Sequence, residues 1–173
     1  RDEDADEELA RKTQIPGLLA SLLRARGIDT PEAAQTFLEP RLDNLHDPMQ
    51  LPDMRPAAER VIEAIAGDEP ILIHGDFDAD GITATAFMVK FISKLGGEVI
   101  YYIPHRVRDG YGVMSYAIQE AADRDIPLVI TVDCGISDVE PIQQGQQMGI
   151  EFIIIDHHLP GPEIPDVLVI DPK

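Results

Sequence analysis

Four short strings of acidic and imidazole side chains stand out in the 173 residues: His74-Gly75-Asp76-Phe77-Asp78-Ala79-Asp80-Gly81, Pro104-His105-Arg106, Asp133, and Asp156-His157-His158. Each follows directly on a short apolar run, and together they hold four of the five histidines. Carboxylates gathered in one place repel and raise one another's pKa unless a cation neutralises them, so a divalent metal is the economical resolution. Oxygen and imidazole donors without a thiolate cluster suit Mn²⁺ or Mg²⁺, and on ligand type alone Zn²⁺ and Fe²⁺ stay open. His74, Asp78, Asp80, Asp133 and His157 are too many ligands for one open catalytic ion. The spacing favours two ions about 3.5 to 4 Å apart, an arrangement suited to clamping a phosphoryl group and activating water.

Two other chemistries share part of this pattern. Asp76-x-Asp78-x-Asp80-Gly81 matches the start of a calcium-binding EF-hand loop, but Ala84 and Phe87 stand where its later ligands belong, and an apolar strand precedes it. An acid-x-acid pair after a first strand also fits an aspartyl-phosphate phosphatase with Asp78 or Asp80 as nucleophile, which leaves His157 and His158 without a role. Adjacent His157 and His158 would point to opposite faces of a regular strand, so either they sit in a turn or one of them lies behind the direct ligands. His157 is assigned to metal and His158 to the substrate phosphate or leaving group. Arg106 and Arg108, beside Gly110-Tyr111-Gly112, offer charge-assisted hydrogen bonds to phosphate; their bland reading is an exposed basic loop. His46 is taken as structural, His105 as either, and Cys134 as a small semi-buried residue.

The elements that carry these strings follow from apolar periodicity. Residues 71–74, 99–103, 128–132, 152–155 and 167–170 are apolar on successive positions, which marks strands buried on both faces. Helical patterns lie between them, from about Ile82 to Leu95, Tyr116 to Arg124 and Asp138 to Met148, the last with Ser137 and Glu140 at capping-box spacing. The alternation predicts an α/β fold, a parallel sheet with helices on both faces. In such sheets ligands collect outside the carboxyl ends of the strands, where all four strings fall. Upstream, a helix through Ile15 to Leu23 stops at Gly27, Thr30-Pro31-Glu32 opens a short one to about Leu38, and another runs from about Pro56 to Ala66.

Composition narrows the class. With 14 basic and 32 acidic residues the net charge is −18, which opposes simple electrostatic attraction to nucleic acid. Six acids among the first eight residues suggest a solvated, mobile tail. One cysteine excludes an internal disulfide, and no stretch reads as a leader or a membrane span, so a cytoplasmic protein is expected.

The strings HGDFDADGITATA, IPHRVRDGYG, VDCGIS and IIIDHHLPG resemble, in order, the first four motifs of the DHH phosphoesterase superfamily, in the wording of its RecJ branch of single-strand-specific 5′→3′ DNA exonucleases. The likeness reaches upstream to LLRARGI. It implies that His74, Asp78 and Asp133 hold one Mn²⁺ or Mg²⁺ and that Asp80, Asp133 and His157 hold a second, with Asp133 bridging. It further implies that His158 and Arg106 meet the scissile phosphate and that Asp76 sits in the outer shell or ligates directly. Single-stranded DNA would be the substrate, in recombination and repair, with repair proteins such as a helicase or a single-strand-binding protein as partners, no membrane, and a monomeric state. Cys134 departs from the Asn common in relatives. Three segments are expected: an acidic disordered tail over 1–8, a helical arm and linker over 9–56, and the catalytic α/β domain over 57–173. That domain is expected to be truncated, since the superfamily has a further metal-binding Asp and a second domain. The rivals are a DHH phosphodiesterase acting on short oligonucleotides or cyclic dinucleotides, and a non-catalytic binding module of the same fold.

Overall fold

The computed structural model describes residues 3–173. The chain divides into two compact units, Arg1–Asp47 and Pro48–Lys173.

In the first unit, helices α1 (Glu3–Thr13), α2 (Gly17–Arg24) and α3 (Pro31–Leu38) enclose a small core of Leu9, Ala20, Leu23 and Ala34. The acidic run expected as a mobile tail is helical from Glu3; Arg1 and Asp2 lie outside the described residues. Its charge supports the helix, because Glu3, Asp4 and Asp6 occupy the first turn and Arg11 and Lys12 the last, each sign at the favourable end of the macrodipole. Asp6 is buried and accepts a hydrogen bond from Arg24 at 2.7 Å, which ties the run to α2. Gly27 ends the α2 region in the left-handed region (φ 79), and Thr30 caps α3 by accepting from Ala33 N–H, both as the sequence indicates.

The second unit opens with a 3₁₀ turn at Pro48–Gln50 and α4 (Met54–Ala66). The helix begins two residues before Pro56, which the first turn tolerates because the N–H groups there have no intrahelical partner. Residues assigned to a linker belong to this unit: Leu51 and Met54 pack against its core, and Asp53 accepts a hydrogen bond from Val169 N–H at 3.0 Å.

Strands β1 (Ile71–Gly75), β2 (Val99–Tyr102), β3 (Leu128–Val132), β4 (Glu151–Ile155) and β5 (Leu168–Ile170) form one sheet in the order β2-β1-β3-β4-β5. Every pairing is parallel. Helices α5 (Ala79–Lys94), α6 (Ser115–Asp123) and α7 (Val139–Gln147) make the crossovers. Alternate strand residues feed two cores. Ile71, Ile73, Leu128, Ile130 and Ile153 meet α4 and α5 on one face, whereas Leu72, Val129, Phe152 and Ile154 meet α6 and α7 on the other. The α/β sheet covered on both faces is therefore the observed architecture. Among the described residues no helix is long and apolar enough to cross a membrane.

Two helix starts differ from expectation. Helix α5 begins at Ala79 rather than Ile82, because Asp78 caps it by accepting from Asp80 and Gly81 N–H. The Ser137–Glu140 capping box does not form; Asp138 occupies the cap of α7, and its carboxylate accepts from Val113 N–H instead.

Candidate metal centre

With this strand order the chain winds away from β1 to β2 on one side and to β3 on the other, so the crevice between the carboxyl ends of β1 and β3 is the topological switch point. The loop after β1 delivers Asp76 and Asp78 there, and the loop after β3 delivers Asp133. Asp133 has φ 63, a left-handed conformation that costs an L-residue roughly 1–2 kcal/mol and that Asp tolerates better than most. Its N–H still donates to Ile155 O at 2.9 Å, so the turn is pinned to the end of β4. Gly81 makes the approach of α5 possible, since a Cβ there would sit 2.6 Å from backbone atoms of Asp76.

Two triplets of donors converge, each with its ligand atoms within 4.8 Å of one another: Asp76, Asp78 and Asp133, and Asp133, His157 and His158. Asp133 belongs to both. Burial pushes the Asp133 carboxyl up, the charge on Asp78 adds to this, and the hydrogen bond from His157 Nε2 at 2.9 Å opposes it. Burial also raises Asp76, with Asp78 again adding to the shift. Asp78 moves the other way, because the Gly81 and Asp80 backbone N–H groups stabilise its anion. Asp76 is only 3% exposed, and its Oδ1 has no hydrogen-bond partner. A buried, unpartnered carboxylate oxygen is costly. Beside two further acids, it is what a cation would satisfy, so the residues present fit a divalent ion.

Asp156 organises the histidines. Its Oδ1 accepts from His157 N–H at 2.7 Å and His158 N–H at 3.2 Å and contacts His158 Nδ1 at 2.7 Å, while Oδ2 accepts from Ile136 N–H at 3.1 Å. Burial alone would raise this carboxyl, but the His158 ring and the backbone donors outweigh it and hold it below the usual range. In return Asp156 raises the His158 pKa and keeps the proton on Nδ1. Tyr111 Oη lies 3.2 Å from the same Nδ1.

His74 joins neither triplet. It is fully buried, its Nε2 accepts from Met114 N–H at 3.2 Å, and its Nδ1 faces Cys134 Sγ at 3.8 Å. Burial lowers its pKa to about 4, so a neutral ring accepts that hydrogen bond. Asp80 is exposed and lines a cleft of about 490 Å³ with Asp133, Asp156 and His157. Arg106 is exposed, its guanidinium 5.2 Å from the centroid of the Phe77 ring. The sequence reading named Asp156, Tyr111 and Asp138 without giving any of them a role in the site. Asp156 was open to discovery from its place before two histidines, since imidazoles at a metal site need a carboxylate or carbonyl to orient them.

Residues 70–173 match the DHH family, N-terminal domain. The chain belongs to the DHH family. Among DHH relatives, the single-stranded-DNA-specific exonuclease RecJ of Bacillus subtilis (strain 168) is 42% identical over 173 residues, 99% of this chain and 22% of that protein. The crystal structure of RecJ from Thermus thermophilus in complex with Mn²⁺ superposes with a TM-score of 0.73 at 30% identity, covering 98% of this chain and 23% of that one. A crystal structure of exonuclease RecJ bound to manganese gives 0.68 at 38% identity, covering 74% and 33%. This DHH chain spans about a quarter of the length of the curated relatives it matches.

Proposed function

We propose that this chain houses the metal centre of a phosphodiester hydrolase that removes nucleotides from the 5′ end of single-stranded DNA, acting in recombination and repair in the cytoplasm alongside helicases and single-strand-binding proteins. The observation that carries the reading is the pair of donor triplets sharing Asp133 at the switch point, with an unsatisfied Asp76 oxygen inside one of them. The resemblance to the RecJ exonucleases, for which two crystal structures hold manganese, supports both the reaction class and the substrate.

Asp76, Asp78 and Asp133 would hold one Mn²⁺ or Mg²⁺, and Asp133 with His157 a second, with Asp80 opening on the same cleft. When bound, such ions supply Lewis acidity to the phosphoryl oxygens and acidify water. The side chains do the rest. His158, with its Nδ1 fixed on Asp156 and its pKa raised, keeps a proton to offer to a phosphate or leaving-group oxygen. Arg106 supplies a guanidinium edge to a phosphate. Asp78, as cap of α5, keeps the metal-binding loop in register with the helix.

The experiment, in a protein of the length of the matched relatives, is Mn²⁺-dependent digestion of a long single strand labelled at one end or the other. Mononucleotide released first from the 5′ end supports the reading. Hydrolysis of dinucleotides alone points to a short-oligonucleotide phosphodiesterase, and metal uptake without hydrolysis points to a binding module.

A further inference from the structure

In Asp76-Phe77-Asp78 an aromatic residue stands between two carboxylates of the candidate centre. Phe77 belongs to neither sheet core and is only partly buried. The Arg106 guanidinium, from the loop after β2, lies 5.2 Å from the centroid of its ring. Among the described residues Arg106 makes no ion pair and no side-chain hydrogen bond. Two positions along, Arg108 does the opposite: its Nε and Nη2 donate to the two carboxylate oxygens of Asp109 at 2.8 and 3.0 Å. One loop thus carries a neutralised arginine and an uncommitted one.

That difference has a chemical consequence in a chain of net charge −18. A carboxylate holding Arg106 would occupy the N–H edge that a phosphate must use. An aromatic face attracts the cation through the ring quadrupole and leaves the edge free. We propose that Phe77 is a positioning residue, docking Arg106 beside the strand-end carboxylates while leaving its N–H donors available for a phosphate of single-stranded DNA. This rests on reading the site as a phosphodiesterase.

The test combines Phe77→Leu, Phe77→Trp, Arg106→Gln and the Phe77→Leu/Arg106→Gln double variant, with steady-state hydrolysis of a single-stranded oligonucleotide by a protein of the length of the matched relatives and ¹⁵N NMR of the arginine Nε–H groups in this chain. Phe77→Leu is expected to raise KM about two- to five-fold, the strength of an exposed cation–π contact, with kcat within two-fold. Phe77→Trp keeps the aromatic face and the wild-type KM, which separates positioning from a general loss of structure. Arg106→Gln raises KM about ten-fold or more, as loss of a charge-assisted hydrogen bond does. In the Arg106→Gln background Phe77→Leu adds nothing. The Arg106 Nε–H resonance shows a ring-current shift in the wild type that vanishes in Phe77→Leu.

Absence of that shift in the wild type overturns the inference, as does an equal KM increase from Phe77→Leu with and without Arg106, because Phe77 then acts on substrate directly. Hydrolysis that survives Arg106→Gln with unchanged KM overturns it while the phosphodiesterase reading stands. A wild type that takes up manganese and cleaves no strand overturns the phosphodiesterase reading, and the phosphate role of Arg106 with it.

Discussion

Asp156 Oδ1 lies 2.7 Å from His158 Nδ1 and 2.7 Å from His157 N, so one buried oxygen sets both the ring of one histidine and the backbone of the other. Asp156→Asn preserves the shape and removes the charge. His158 should then titrate closer to an ordinary imidazole, below its wild-type pKa, and manganese affinity or hydrolysis should fall about 10- to 100-fold, as for other carboxylates that orient metal-binding histidines. Histidine NMR titration and calorimetry check the two effects separately, and an unshifted His158 would contradict the coupling.

Asp133→Asn should separate function from stability. Asn accepts the left-handed backbone conformation, so the turn survives, but both triplets lose their common carboxylate. Manganese uptake by calorimetry should disappear. Because the folded pKa of Asp133 is raised, ionising it destabilises the native state. That penalty appears as pH climbs through the unfolded-state value of 3.8 and is complete above the higher folded value. Metal-free Asp133→Asn should therefore melt at or above the wild-type temperature at pH 7 and lose this part of the pH dependence.

Asp109 predicts the reverse sign. The Arg108 guanidinium and the His105 N–H hold its carboxyl at about 2, so the stabilisation it gives the loop is present above pH 3.8 and is lost as pH falls towards 2. Asp109→Asn should speed amide exchange over residues 105–109 at neutral pH, where hydrogen–deuterium exchange would detect it, with little change in the sheet.

Gly81→Ala should strike the centre through the backbone. The added Cβ meets Asp76 backbone atoms at 2.6 Å, so α5 or the Asp76 loop must shift. Destabilisation of about 1–3 kcal/mol is expected from overpacking, along with weaker manganese binding. Denaturant unfolding with and without the metal distinguishes the two losses.

Much of this arrangement was legible before any coordinates. The strands announced themselves because β1 and β3 are buried on both faces and so consist of consecutive apolar residues. Chemistry was readable at their carboxyl ends because a parallel sheet leaves little other room for it. The hidden part lies in contacts between residues distant in sequence. His74 stands first in its string, and in the fold its Nε2 accepts from Met114, 40 positions away, a bond that no local pattern marks. Asp138 does stand at the start of α7, but its carboxylate caps no helix N–H and holds Val113, 25 positions back. The acidic run looked like a tail because charge density is visible in sequence and the Asp6–Arg24 pair is not.

The cap of helix α5 also bears on which ion the proposed centre would prefer. Asp78 Oδ1 is engaged by the Asp80 and Gly81 N–H groups, so only Oδ2 is free for a metal unless the helix surrenders its first turn. Calcium is commonly gripped by both oxygens of a carboxylate within a shell of six to eight ligands, whereas magnesium is content with one oxygen and retained water. Were Asp78 a ligand of the proposed centre, a helix terminus that rations oxygens in this way would handicap the larger cation without any bulky side chain standing guard.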